Sequence, residues 1–281
     1  MEAVYPLGKG LLKPGLHFGL RWTIEGAEHI PRAGPVLLAS NHVSYLDPFT
    51  IAYVADRRRR RIRFLAKSEL FEKRGLGPLL RNARQIPVAR GTNDASTSLG
   101  DAVQALAAGE CVVVFPEGTI SLDLEPMAGK TGTVRLAQAS GVPVTPMGVW
   151  GTHRMLFKGR KPDWRWGVAQ TAVVGAPLPV PPGEDVLAAT DRLMAAIAAC
   201  VARAREVYPQ RPGAGEDDWW WREPGTAVVR PAAGTEGGGP TGAHGGGLPV
   251  GEVPGGEALG AEALGAEALG AEAPDGTEAR G

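Results

Sequence analysis

Within Ser40-Asn41-His42-Val43-Ser44-Tyr45-Leu46-Asp47-Pro48, an imidazole stands five residues before a carboxylate. Histidine is the side chain suited to taking a proton near neutral pH. A carboxylate bonded to its far ring nitrogen fixes the tautomer and stabilises the imidazolium that forms. His42 and Asp47 are therefore candidates for a general base and its orienting acid. Spacing alone is a weak signal, because Asp before Pro is also a common helix start and caps the helix there. A second segment, Val112-Val113-Val114-Phe115-Pro116-Glu117-Gly118-Thr119-Ile120-Ser121, carries an apolar strand into a turn. Gly118 would let backbone approach a ligand closely, and Glu117 and Thr119 offer polar contacts. A plain Pro/Gly turn accounts for the same residues. In a third, Phe64-Leu65-Ala66-Lys67-Ser68-Glu69-Leu70-Phe71 is followed by Gly77, Arg81, Arg84 and Arg90. Cations at strand ends suit a phosphate. The arginine run 57–61 and Arg63 instead read as surface facing water or anionic headgroups. A fourth segment, Val142-Pro143-Val144-Thr145-Pro146-Met147-Gly148-Val149-Trp150, is a proline-bearing strand that names no chemistry.

The elements between these segments alternate. Apolar runs predict strands over 36–39, 62–66, 85–88, 111–115, 143–148 and 170–174. Helical patterns cover 48–55, 75–82, 95–108, 131–140 and 184–206. The alternation predicts an α/β fold, a mostly parallel sheet with helices on both faces. Ligands bind such sheets at the carboxyl ends of the strands. His42 follows the first of these strands and Pro116-Glu117-Gly118 the fourth, so both should open on one edge.

The four segments, in this order and spacing, resemble the glycerolipid acyltransferase family, over roughly residues 20–180. The lead-in Gly26-Ala27-Glu28-His29-Ile30-Pro31-Arg32-Ala33-Gly34-Pro35 shares the resemblance. It implies acyl transfer from an acyl thioester, acyl-CoA or acyl-acyl carrier protein as co-substrate, to the free hydroxyl of 1-acylglycerol-3-phosphate. His42 and Asp47 would be catalytic. Asn41, Lys67, Arg90, Glu117, Gly118 and Thr119 would bind the substrate. The chain departs from the family at Ile120, where arginine is usual, and near Ala83-Arg84, where a glycine is usual. Both departures bear on the identity of the acceptor more than on acyl transfer. Another lysophospholipid or glycolipid acceptor, an acyl-thioester hydrolase, and a non-catalytic membrane-binding module are the alternatives.

Composition supplies the surroundings. Net charge is zero over 281 residues, but residues 1–221 carry +6 and residues 222–281 carry −6. The latter hold 17 of the 40 glycines, no aromatic residue, and a five-residue Glu-Ala-Leu-Gly-Ala repeat. Such a segment buries too little apolar surface to offset its ordering entropy. The expected organisation is an interfacial or packing segment over 1–22, an acyltransferase domain over 23–215 and a disordered tail over 216–281. Cys111 and Cys200 lie in apolar contexts and read as buried thiols of a reducing compartment. One histidine among scattered carboxylates gives no metal-ligand spacing. No stretch reaches the ~18 apolar residues of a membrane span. Docking on an anionic membrane is expected instead, peripheral on the inner, cytoplasmic face, through the positive body, residues 1–22 and Trp219-Trp220-Trp221. No nucleic-acid partner and no cofactor beyond the acyl donor is expected.

Overall fold

The computed structural model describes residue 17, residues 19–88 and residues 94–231, with only the backbone for 94–97. Arg90, most of segment 1–22 and the repeat-bearing part of the tail lie outside the described residues.

The described elements run β1 (Arg21–Glu25), β2 (Val36–Ser40), α1 (Asp47–Arg57), β3 (Ile62–Lys67), α2 (Glu69–Glu72), α3 (Leu76–Asn82) and β4 (Ile86–Val88). They continue with α4 (Asp94–Ala107), β5 (Cys111–Val114), α5 (Gly132–Ser140), β6 (Val144–Trp150), β7 (Ala169–Val174) and α6 (Val186–Glu206). The strands form one seven-stranded sheet in the order β1-β7-β6-β2-β5-β3-β4. The run from β6 to β4 is parallel throughout. β7 is antiparallel to β6, and β1 is parallel to β7. The predicted mostly parallel α/β sheet is therefore present, with two opposed strands at one side.

Period-two burial divides the core. Val36 and Leu38 of β2, with Cys111 and Val113 of β5, face Ile51, Val54 and Ala55 of α1. Leu37, Ala39 and Val112 face the other way, onto α4, α5 and α6. All five residues of β2 are buried, as expected of a central strand covered on both faces. Each such leucine contributes roughly 2 kcal/mol by its burial. The helix α6 lies tight on β6 because Gly148 has no side chain: a Cβ there would fall 2.4 Å from the backbone of Cys200 and Val201. Burial pushes the Cys111 thiol up to about 12 and the Cys200 thiol up to about 11, which disfavours the thiolate at both.

Chain direction opens a crevice at the centre. From β2 the chain leaves through α1 on one face towards β3; from β5 it leaves through α5 on the other face towards β6. These neighbouring strands, paired Val36↔Cys111 to Ala39↔Val114, thus send their following loops apart. Such a reversal of winding is where open α/β sheets bind ligands.

Three expectations are corrected. The segment expected over 1–22 ends in β1, a strand whose Trp22 stacks on Tyr53 of α1 at 3.9 Å. It went unread because five residues of mixed polarity on a sheet edge show no clean alternation. The boundary at 215 also fails. Trp220 is only 3% exposed, and Met127 and Arg230 form a parallel bridge, so the folded unit runs through the strap 208–231. The tryptophan triplet packs on the domain, with Arg154, Arg160 and Arg211 over its rings. Finally, Arg60 is not a solvated cation: it is buried and donates to the carbonyls of Pro31, Gly34 and Gly109. Arg58, which donates to the carbonyl of Ile30, and Arg60 therefore tie the loops at the amino edge of the sheet, opposite the crevice, while Arg57, Arg59 and Arg61 are exposed.

Candidate active site

At the carboxyl end of β2, the Nδ1 of His42 meets the Oδ2 of Asp47 at 2.9 Å. Asp47 does not cap a helix with this oxygen. The N-cap position of α1 is Leu46, and no side chain caps it. Instead the same Oδ2 accepts the N–H groups of Val43 at 2.7 Å and Ser44 at 2.8 Å, so the loop closes over its own carboxylate. Oδ1 accepts the hydroxyl of Thr152 at 2.5 Å. Four donors occupy a group with about four acceptor sites, and Asp47 is 0% exposed. His42 is 17% exposed at its side chain, so the ring bridges a buried acid and the crevice. With Nδ1 donating to Asp47, Nε2 presents its lone pair outward.

The turn after β5 completes the wall. The Phe115 ring stacks on His42 with centroids 4.1 Å apart. Glu117 is buried, and its two oxygens accept backbone N–H groups from His42 at 2.9 Å and Met127 at 3.2 Å. One carboxyl thus staples the loop after β2 to the loop after β5. Burial pushes the Glu117 carboxyl up to about 8, against the opposing pull of those two N–H groups. A further tie runs from Ser121 N–H to the carbonyl of His42 at 2.8 Å. Gly118 has φ +72°, the left-handed region that favours glycine.

The expected substrate-binding residues divide by position. Gly118 and Thr119 lie on the turn beside His42, Thr119 exposed. Lys67 ends β3 on the same edge of the sheet, half-buried and in register with Val88. Asn41 and Glu117 face inward instead. Asn41 is fully buried, donating to the carbonyl of Val149 at 3.1 Å and accepting its N–H at 2.8 Å. Its amide adds a rung to the β2–β6 ladder just beyond Ser40↔Met147. This replaces the expected substrate contact by Asn41 with a positioning role, because both ends of the amide are taken by backbone. Glu117 is likewise a positioning group in this geometry. Sequence reasoning missed Thr152 altogether. A threonine 105 residues from Asp47, on the one-turn 3-10 helix Thr152–Arg154, carries no local signal. Ser44, beside the His42–Asp47 pair, donates its hydroxyl to the carbonyl of Leu156 at 2.5 Å and is fully buried.

Among the described residues, no group of three or more His, Cys, Asp or Glu is placed to hold a metal ion. None of their helices is long and apolar enough to cross a membrane.

Residues 21–150 match the family model described as Acyltransferase, from the first residue of β1 to the last of β6. That match marks residues 21–150 as the part of the chain similar to an acyltransferase domain. A 1-acyl-sn-glycerol-3-phosphate acyltransferase of Bacillus subtilis (strain 168) is 28% identical to this chain over 145 residues, covering 49% of this chain and 68% of that protein. A lyso-ornithine lipid O-acyltransferase of Rhizobium meliloti (strain 1021) is 36% identical over 135 residues, 48% of this chain and 44% of that protein. The chain thus spans less than half the length of the second relative. In fold, the chain is similar to the crystal structure of the 1-acyl-sn-glycerophosphate (LPA) acyltransferase PlsC from Thermotoga maritima, with a TM-score of 0.52 at 25% identity, over 69% of this chain and 80% of that one.

Proposed function

We propose that the chain moves a fatty acyl group from an acyl thioester to the free hydroxyl of 1-acylglycerol-3-phosphate, giving phosphatidic acid. The observation that carries this reading is the His42–Asp47 pair, opening on the carboxyl edge beside the Pro116-Glu117-Gly118-Thr119 turn. His42 Nε2 takes the proton of the acceptor hydroxyl while Asp47 holds the ring. The oxygen then attacks the thioester carbonyl; a new C–O bond forms, the C–S bond breaks, and the proton passes to the departing thiolate. A thiol with a pKa of ~8.5 leaves without a strong acid, so transfer is direct. Glu117, Thr152 and Asn41 keep the two loops in register and do not touch the reacting atoms. The donor is acyl-CoA or acyl-acyl carrier protein.

The acceptor lives in a membrane, and several exposed apolar groups at this edge support docking there. Leu122 follows the Ser121 tie to His42 and is 61% exposed. Trp164 and Trp166, in the loop leaving the carboxyl end of β6, are 45% and 79% exposed. Tryptophan favours the interface between lipid and water. We place the enzyme peripherally, on the inner face of the cell membrane.

A second acceptor, a lysolipid with an ornithine headgroup, is favoured by the Rhizobium relative and by the uncharged Ile120. Purified protein with oleoyl-CoA and both acceptors, followed by mass analysis of the product, decides between them. In the same assay His42→Ala should lose transfer by at least ~1,000-fold with its melting temperature kept. Near-normal turnover by that variant refutes the base. Thiol released without any acceptor points to the hydrolase.

A further inference from the structure

Ile120, where the resemblance expects arginine, is 8% exposed and uncharged, so it cannot meet an anion at the mouth of the site. A different cation stands over the same turn. The N–H of Lys130 donates to the carbonyl of Pro116 at 2.9 Å, which anchors this residue to the end of β5. Its side chain then folds back across Gly118: a Cβ built there would lie 3.2 Å from both Cε and Nζ of Lys130. Because Gly118 has no Cβ, the ammonium rests against bare backbone. Lys130 is exposed, and among the described residues no side chain or carbonyl bonds its ammonium. The carboxyl nearest in sequence to this turn, Glu117, is buried and already engaged by two backbone N–H groups. Lys130 thus has its three donors available over Gly118, the residue before the exposed Thr119, on the turn that begins at Phe115, which stacks on His42.

We infer that Lys130 receives the phosphomonoester of the acceptor over the Gly118-Thr119 turn and so sets the enzyme's preference for a phosphate-bearing acceptor. This rests on the reading under Proposed function. In 1-acylglycerol-3-phosphate the free hydroxyl and the phosphate sit on neighbouring carbons. The base and the cation must therefore flank one turn: His42 is tied to the turn after β5 through Glu117 and Ser121, and the Lys130 side chain lies over the same turn at Gly118. A phosphate dianion bound by an ammonium gains charge-assisted hydrogen bonds, and lysine supplies them as a compact point charge.

The test compares purified wild-type protein, Lys130→Met and Lys130→Arg with oleoyl-CoA as donor. The acceptors are 1-acylglycerol-3-phosphate and uncharged 1-acylglycerol. Lys130→Met should raise KM for the phosphate acceptor about tenfold or more, with kcat within about threefold. It should leave turnover of 1-acylglycerol and KM for the donor unchanged, and Lys130→Arg should restore most of the loss. An unchanged KM for the phosphate acceptor overturns the assignment. So does a rise confined to the donor's KM, which would give the lysine to the phosphates of coenzyme A, or an equal fall in kcat with both acceptors, which would make it structural. Wild-type protein inactive on 1-acylglycerol-3-phosphate would instead sink the functional reading itself, and the two failures are told apart by that arm.

Discussion

At Asp47 every acceptor site is filled from within the loop except the one given to Thr152, which reaches across from the end of β6. Removing that hydroxyl leaves Oδ1 buried and unbonded and frees the carboxylate to turn. Thr152→Val should cost about 1–3 kcal/mol of stability. It should also lower kcat about tenfold while leaving KM near its original value, since a misaimed imidazole harms proton transfer more than binding. Steady-state kinetics and urea unfolding check both. Glu117 makes a pH prediction. Its folded carboxyl is pushed up to about 8 from an ordinary 4.5, so between those values the folded protein holds a proton that the unfolded chain releases. Stability should fall as pH rises through that window and level off above it. Glu117→Gln cannot lose this proton, so its melting temperature should decline less than the wild type's between pH 5 and pH 8. Parallel slopes for the two proteins would show that Glu117 does not titrate there.

The elements explain why one of the two departures from the family pattern is tolerated. Arg84, where the resemblance expects a glycine nearby, has φ 55° in the turn between α3 and β4. Left-handed backbone costs a side chain of this kind ~1 kcal/mol. Its partners are Arg63, whose Nε donates to the Arg84 carbonyl at 2.5 Å, and an ion pair to Glu110 at 3.3 Å from a side chain 66% exposed. An exposed pair of that sort returns little. Arg84→Gly should therefore raise stability by up to about 1 kcal/mol, visible as a higher melting temperature with unchanged activity. A fall in melting temperature would mean that the Glu110 pair outweighs the strain.

Across the whole molecule, the C-terminal strap supports the loops after β2 and β5 from behind. Arg205, only 1% exposed, donates to Glu125 at 3.0 Å, to the carbonyl of Leu124 at 2.8 Å and to that of Thr226 at 2.6 Å. Burial lowers its pKa against the pull of Glu125. Glu125 in turn accepts Val228 N–H at 3.1 Å, and Arg230 exchanges backbone hydrogen bonds with Pro126 and Ala128. Met127, between them, is a partner of Glu117. Ending the chain after residue 221 removes one side of this arrangement and leaves Arg205 and Glu125 short of partners. That truncation should lower stability by several kcal/mol and depress activity, whereas ending it after residue 231 should change neither strongly. Thermal unfolding and acyl transfer measured on the two truncated chains distinguish these outcomes.

Sheet, helices and the meeting of His42 with Asp47 were legible in the linear chain because each rests on local rules. Apolar runs of four to six residues make strands, 3.6-residue periodicity makes helices, and a five-residue spacing lets one loop close on itself. The carboxyl-edge rule also joins the loops after β2 and β5 from strand order alone. Arg21–Glu25 escaped notice because an edge strand of mixed polarity shows no pattern, and Trp220 because a short chain segment does not announce what it will pack against. Thr152, the inward turn of Asn41, and Lys130 lying on Gly118 depend on contacts between residues far apart in the chain or on a backbone angle. Such contacts form only once the sheet has ordered its strands, so the His42–Asp47 pair was written locally while its supports and the lysine over Gly118 were set by packing.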